Sequence, residues 1–328
     1  MASLTLAQYA TNPKPLVAGV AKILQEESMF MNVLPFEDVG ALSVQVIREG
    51  SLPNISWRRP GNAHGSSKGT DPDRVVEQAF SFGNTVDIDR VYLKDNAPRL
   101  YDPRTYWTDQ TVKALAREFN DAAINGDPVS NPDRPTGLFK RMSQLPAAQR
   151  ISAAADGGNG GLDISPDAAN LSANIQTLFD RLDQLIYATA DHKADYILCN
   201  DTFIMRYWSI ARQSGLLKTT TDNIGREMYE YKGAKLIDMG FKLDDSTRII
   251  GNAETTNGNA LTGGTATSLY AIRVGAEYFT GWQEYGMTVE DIGWLDDGVT
   301  YRLLIDWVVG LALSNPRSVT RLFGVIAA

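Results

Sequence analysis

Residues 102–126 read DPRTYWTDQTVKALAREFNDAAING, and this stretch constrains the fold more than any other. Asp102 suits an N-cap and Pro103 a first helical residue. Val112, Leu115, Ala116, Phe119 and Ala123 then recur at helical spacing and form one apolar stripe. Gly126 follows the last helical position, where helices commonly stop. At 1.5 Å per residue such a helix is roughly 35 Å long. Any fold of this chain must therefore supply an apolar surface of that length on one side only.

The 328 residues allow two domains of ordinary size, or one large one with insertions. Residues 1–40 read as an arm and a short amphipathic helix. Pro15 sits at its first position, Leu16, Gly19, Val20, Ile23 and Leu24 share a face, and Pro35 prevents continuation. Two alternating strands follow. Leu42, Val44 and Val46 mark one, and Phe80, Phe82, Val86 and Ile88 mark the other. Between them lies SLPNISWRRPGNAHGSSKGTDPD, far longer than a compact hairpin needs. From Ala41 to Thr70 the cations Arg48, Arg58, Arg59 and Lys68 face one anion, Glu49, for a net +3 on a chain of net −8. A basic loop on an acidic body is either a solvated loop or a strap onto the acidic surface of a neighbouring copy.

Beyond the long helix, Ser165-Pro166 is expected to open a second helix with Leu171, Ile175, Leu178, Leu182, Leu185 and Ile186 inward. Tyr196–Cys199 reads as a short buried strand, followed by a helix capped by Asn200 or Asp201 and running to about Ser214. Strands are expected at 228–238, 247–251 and 269–274, with 251–267 as an exposed Thr/Gly/Asn loop. In 299–307, Val299, Tyr301, Leu303, Ile305 and Trp307 fall on one face, after a tight turn at Asp297-Gly298. Met287–Ile292 and Val319–Ile326 are the remaining candidate strands, and Asn315-Pro316 a turn.

Signatures of catalysis are scarce. One cysteine, Cys199, and two histidines, His64 and His192, exclude a disulfide scaffold and most zinc sites. GSSKGT at 65–70 lacks the spacing of a phosphate loop, and no dinucleotide, nucleophile-elbow or His-Glu-x-x-His pattern occurs. Cys199 lies in an apolar strand, which makes it core rather than nucleophile. Glu118 and Asp121 stand three apart on the long helix, the spacing of an acid/base pair, but the same spacing is ordinary on a solvated helix face. The acidic balance argues against tight phosphate-driven nucleic-acid binding. The longest late apolar run, Trp307–Leu313, is too short to span a membrane, and the polar start MASLTLAQYATNPKP is unlike an export signal, so a soluble, intracellular chain is expected, without a membrane partner. No catalytic, cofactor-binding or metal-binding residue is predicted.

The segment LAREFNDAAINGDPVSNPDRPTGL, Leu115–Leu138, resembles the major capsid proteins of tailed bacteriophages with the Hong Kong 97 fold. The resemblance rests on the small-residue run Asn120–Ala123, the turn Asn125-Gly126-Asp127 and the step Pro135-Thr136-Gly137-Leu138, in an order of elements that agrees along nearly the whole chain. It implies an α+β fold: an N-terminal arm over 1–40, an E-loop region over 41–83 and a peripheral domain over 84–167, with 103–125 as the spine helix. An α/β axial domain over 168–273 and a returning peripheral β segment over 274–328 complete it.

The resemblance implies a non-enzymatic shell subunit, assembling as hexamers and pentamers into an icosahedral head around double-stranded DNA. It would be built in the host cytoplasm and located in the virion capsid. Implied partners are other copies, a separate scaffolding protein, a portal and, in some relatives, decoration proteins. Arg58, Arg59, Lys68 and Arg74 become candidate contacts between subunits. Lys68 and Asn315 are the one pair placed for the lysine–asparagine crosslink that some relatives form. Two rival expectations stand beside it: an encapsulin-type nanocompartment shell of the same fold, and an acid-pair hydrolase using Glu118 and Asp121.

Overall fold

A computed structural model describes residues 3–4, 15–48, 53–69, 71, 73–94, 102–215, 218–221 and 225–327. The long helix runs Pro103–Asn125, and the Asp102 carboxylate accepts the Arg104 N–H at 3.0 Å, as its cap position predicts. Its stripe is buried from Val112 through Ile124. The helix Pro15–Glu27 packs on one flank through Val20, Ala21 and Leu24, while Gly19, expected inward, is exposed. The side chain of Leu16 and the arm residues 5–14 lie outside the described residues. Ser28 breaks that helix. Its hydroxyl accepts the Met31 N–H at 3.0 Å to cap a second short helix, Met29–Val33, and donates to Asn120 of the long helix at 2.7 Å.

The long helix lies on a six-stranded sheet built around one strand, Thr300–Leu313. Phe80–Asp89 lines one edge of that strand along 300–309. The other edge is shared end to end by Phe279–Gln283, against 309–313, and Thr288–Trp294, against 301–306. Phe36–Asp38 extends the sheet in parallel beyond Phe279–Gln283, and Ser3–Leu4 pairs outside it. Trp307 anchors the contact. Its ring stacks on Phe119 of the helix at 6.1 Å and meets Phe36 at 4.9 Å, while its indole N–H donates to Gln283 at 2.7 Å.

The second layer is an eight-stranded mixed sheet in the order Arg150–Ser152, Val319–Ile326, Thr267–Ile272, Tyr196–Cys199, Ala234–Asp238, Glu227–Tyr231, Lys218–Thr221, with Leu162–Asp163 also on Val319–Ile326. Both faces of its centre are covered. Ile197, Cys199, Leu236 and Leu269 pack with Leu178, Leu182 and Phe203 of the helices Leu171–Ala188 and Asp201–Gln213. Leu198, Ile237, Tyr270 and Ile272 join the core shared with the long helix. Strands covered on both faces read as unbroken apolar runs, which is why Tyr-Ile-Leu-Cys was legible.

Several expectations need correction. The helix expected from Ser165-Pro166 begins only at Leu171, because Asn170 takes a left-handed conformation (φ 60°) that ends the preceding turn. The stretch 247–251 forms no strand, only a single bridge between Phe241 and Arg248. Val299 is half exposed at the hairpin turn, outside the inward row of Tyr301, Leu303, Ile305 and Trp307. Val319–Ile326, expected with the returning segment 274–328, pairs in the second sheet. The loop 251–267 is folded rather than fully exposed. Glu254 is buried within it, where Arg321 donates to its carboxylate at 2.9 Å and Ser268 donates through its hydroxyl.

Candidate assembly surface

The resembling motif has a physical cause. Gly126 is not in the left-handed conformation typical of helix-ending glycines (φ −56°). It is glycine because the chain passes too close. A Cβ there would sit 2.1 Å from the Pro135 carbonyl oxygen and 2.5 Å from that of Ala122. Gly137 faces it, and a Cβ there would meet the Gly126 nitrogen at 2.5 Å and the Ile124 oxygen at 2.6 Å. The two backbones are joined by the Gly137 N–H donating to the Gly126 carbonyl at 2.8 Å. Asn125 ties the helix end to the second layer by donating to the Ile249 carbonyl at 2.8 Å. Asp127 closes the turn by accepting from the Val129 N–H and from Lys140, both at 3.1 Å.

This clamp leads to a projecting hairpin. Ser43–Arg48 pairs with Asp73–Gln78, Ser43 opposite Gln78 and Arg48 opposite Asp73. The second strand, DRVVEQ, shows little alternation, so the periodicity pointed only to Phe80–Asp89 beyond it. At the hairpin base the Arg141 guanidinium grips both oxygens of the buried Glu77 carboxylate, one of them at 2.9 Å, and donates to the carbonyls of Leu311 and Thr136. Arg48 reaches the same carboxylate at 3.9 Å and the Leu313 carbonyl at 3.3 Å. Neither Glu77 nor Arg141 was singled out from sequence, because a buried pair spanning 64 residues leaves no local pattern.

Beyond this base, residues 53–69 carry no helix or strand and are almost wholly exposed. Ile55 is 85% and Trp57 103% exposed. The stretch holds Arg58, Arg59 and Lys68 and no carboxylate. Of the loop cations expected from sequence, Arg48 belongs to the base and is largely neutralised there. Arg58 donates to the His64 ring at 2.9 Å and the Asn62 carbonyl at 3.0 Å, while Lys68 meets exposed Asp71 at 3.3 Å. Arg59 has no partner among the described residues. Arg74 lies exposed on the hairpin opposite Ile47. Asn315 caps the turn Pro316–Ser318 by accepting the Arg317 N–H at 2.9 Å. The carboxylate at Lys68 is exposed, whereas an amide bond to asparagine needs one that is buried to deprotonate the amine.

Glu118 and Asp121 converge on Arg134, at 2.5 and 3.2 Å, and Asp121 also meets Lys242 at 3.2 Å. Burial raises Glu118 from the ordinary carboxylate value, opposed by Arg134. Both carboxylates are thus held in ion pairs that join the helix to the 127–136 loop. Cys199 is fully buried, and burial pushes its thiol well above the ordinary range. Among the described residues no cluster of three or more His, Cys, Asp or Glu could hold a metal ion, and no helix is long and apolar enough to cross a membrane.

The carboxylates fix how stability follows pH. Hydrogen bonds from Arg302 hold Asp87 below the ordinary value of 3.8, those from Val129 and Lys140 lower Asp127, and those from Tyr278 and Arg273 lower Asp191. Groups lowered on folding stabilise above 3.8, and that contribution is lost as pH falls through their folded values. Glu118 and Glu254 are raised by burial from 4.5, so their penalty, present at neutral pH, is relieved as pH falls toward 4.5. Thermal melting across pH should therefore show greatest stability in the mildly acidic range and a steep loss below 3.8. A flat profile through that lower window would contradict these pairings.

No family model and no curated protein matches the sequence. Solved structures do match the fold. The holo-SrpI encapsulin complex of Synechococcus elongatus PCC 7942 superposes with a TM-score of 0.57 at 16% identity, covering 100% of this chain and 93% of that one. The capsid of a native GTA particle gives 0.53 at 17% identity over 88% and 86%. The capsid of Myoviridae phage XM1 gives 0.54 at 14% identity over 88% and 89%. Shells that share so little sequence with this chain share its architecture over nearly its full length, and that architecture, α+β with a projecting hairpin and a long bracing helix, is the Hong Kong 97 capsid fold.

Proposed function

We propose that this chain is a shell-forming subunit, and specifically the major capsid protein of a tailed bacteriophage. It self-assembles as hexamers and pentamers into an icosahedral head around double-stranded DNA. The supporting observation is the hairpin tip, which presents Ile55 and Trp57 to solvent on a chain that otherwise buries its large apolar side chains well. Large exposed apolar groups mark contact sites, and a tip standing away from the body gains contact area without a larger core. The net charge of −8 keeps the wall from sticking to packaged DNA. In this reading the hairpin is the E-loop, the helix Pro103–Asn125 the spine, and the second layer the axial domain. A scaffolding protein, a portal and decoration proteins are the further partners, the virion is the location, and no catalysis is involved.

The encapsulin-type nanocompartment is the second reading, favoured by the superposition that covers all of this chain. The contents of purified particles separate the two. The phage reading expects double-stranded DNA that survives external nuclease in particles made during infection. Nuclease-treated particles that hold a protein cargo and no DNA would replace it with the second reading.

A further inference from the structure

Two surfaces of the chain complement each other and lie on separate elements. The first is the tip, 53–69, with three cations, no carboxylate, and Ile55 and Trp57 uncovered. The second is the outer edge of the first sheet. Thr288–Trp294 pairs on one side only among the described residues, with 301–306. From Glu290 to Val299 the sequence EDIGWLDDGV carries four carboxylates and no cation. Ile292 and Trp294 are 48% and 44% exposed. Two of the four carboxylates are engaged: Asp291 accepts the Tyr301 hydroxyl, and Asp297 accepts the Val299 and Thr300 N–H groups at 2.9 Å. Glu290 and Asp296 have no partner among the described residues.

We propose that the tip of one copy docks on this edge of a second copy, with Ile55 and Trp57 against Ile292 and Trp294, and Arg58 and Arg59 facing Glu290 and Asp296. The proposal rests on the shell reading and names the surface that receives the strap. Exposed ion pairs contribute little energy, so the apolar side chains supply the attraction and the charges fix partner and register. The contact is made by side chains, not by strand addition. A bulge at Asp291–Gly293, with Gly293 at φ 83°, breaks the register of the edge, a feature that blunts backbone pairing. Because two different patches meet, the contact is head-to-tail, and such contacts close into rings.

The test is a charge exchange in the full chain, expressed with its neighbouring gene products and read by sedimentation. Arg58→Glu with Arg59→Glu should lower the assembled fraction by about tenfold or more, as should Glu290→Arg with Asp296→Arg, since like charges then face each other. All four changes together should return assembly to within about threefold of the natural chain. Circular dichroism should be unchanged throughout, as all four side chains are exposed. In parallel, Arg59→Cys with Asp296→Cys should give a ladder of disulfide-linked multimers on a non-reducing gel, the natural Cys199 being buried. Shells that ignore the reversals and give no ladder overturn the docking and leave the shell reading standing. A ladder without shells supports the docking and overturns the shell reading. Neither shells nor ladder overturns both.

Discussion

Gly126→Ala is expected to destabilise the subunit by about 3 kcal/mol or more, the upper range for forcing atoms into a packed site. The added carbon would stand 2.1 Å from one backbone oxygen and 2.5 Å from another, and backbone cannot swing aside as a side-chain end can. Gly137→Ala should behave alike, since its new carbon meets the backbone of 124–126 from the other side. The control is Gly19→Ala. That glycine is exposed inside the helix Pro15–Glu27, and a Cβ there meets nothing within 4 Å. Alanine should stabilise it by about 0.5–1 kcal/mol. Urea unfolding of the three variants checks the contrast, and three equal midpoints would remove the clamp from the account.

Arg141→Met should be as damaging for a different reason. It leaves the Glu77 carboxylate buried with only Arg48 nearby at 3.9 Å, and breaking one side of a buried pair costs about 3–5 kcal/mol. Adding Glu77→Leu removes the stranded charge and should recover part of the loss. The recovery is incomplete, because the carbonyls of Thr136 and Leu311 have also lost their donor. Hydrogen exchange locates the effect. The hairpin strands Ser43–Arg48 and Asp73–Gln78 should lose protection, while the second sheet keeps its own. Uniform loss across both layers would mean that the pair holds the whole subunit and not the base of the hairpin.

What the sequence showed follows from the range of each interaction. The long helix was legible at both ends, since a cap and a stripe are local, and Asp102 and Val112 sit where the spacing put them. Val319–Ile326 and Tyr196–Cys199 were legible as apolar runs. The hairpin was half legible. Its first strand alternates, but Asp73–Gln78 offers only Val75 and Val76 as apolar residues, because little of it packs on a core. Gly126 was visible as a helix stop, yet its actual cause, the approach of Pro135, depends on a loop closing back through space. The Arg141–Glu77 pair and the Arg321–Glu254 pair were invisible for the same reason. Of the candidate contact residues, the tip placement of Arg58, Arg59 and Lys68 followed from the loop's length. The acidic edge opposite them required the sheet order.

The central claim is that copies of this chain build a shell. Electron microscopy of negatively stained protein, purified after expression with its neighbouring gene products, tests it most directly. Closed particles, or rings of five and six subunits, are the predicted result. Monomers or small compact oligomers alone, across the full concentration range and with those gene products present, would contradict it.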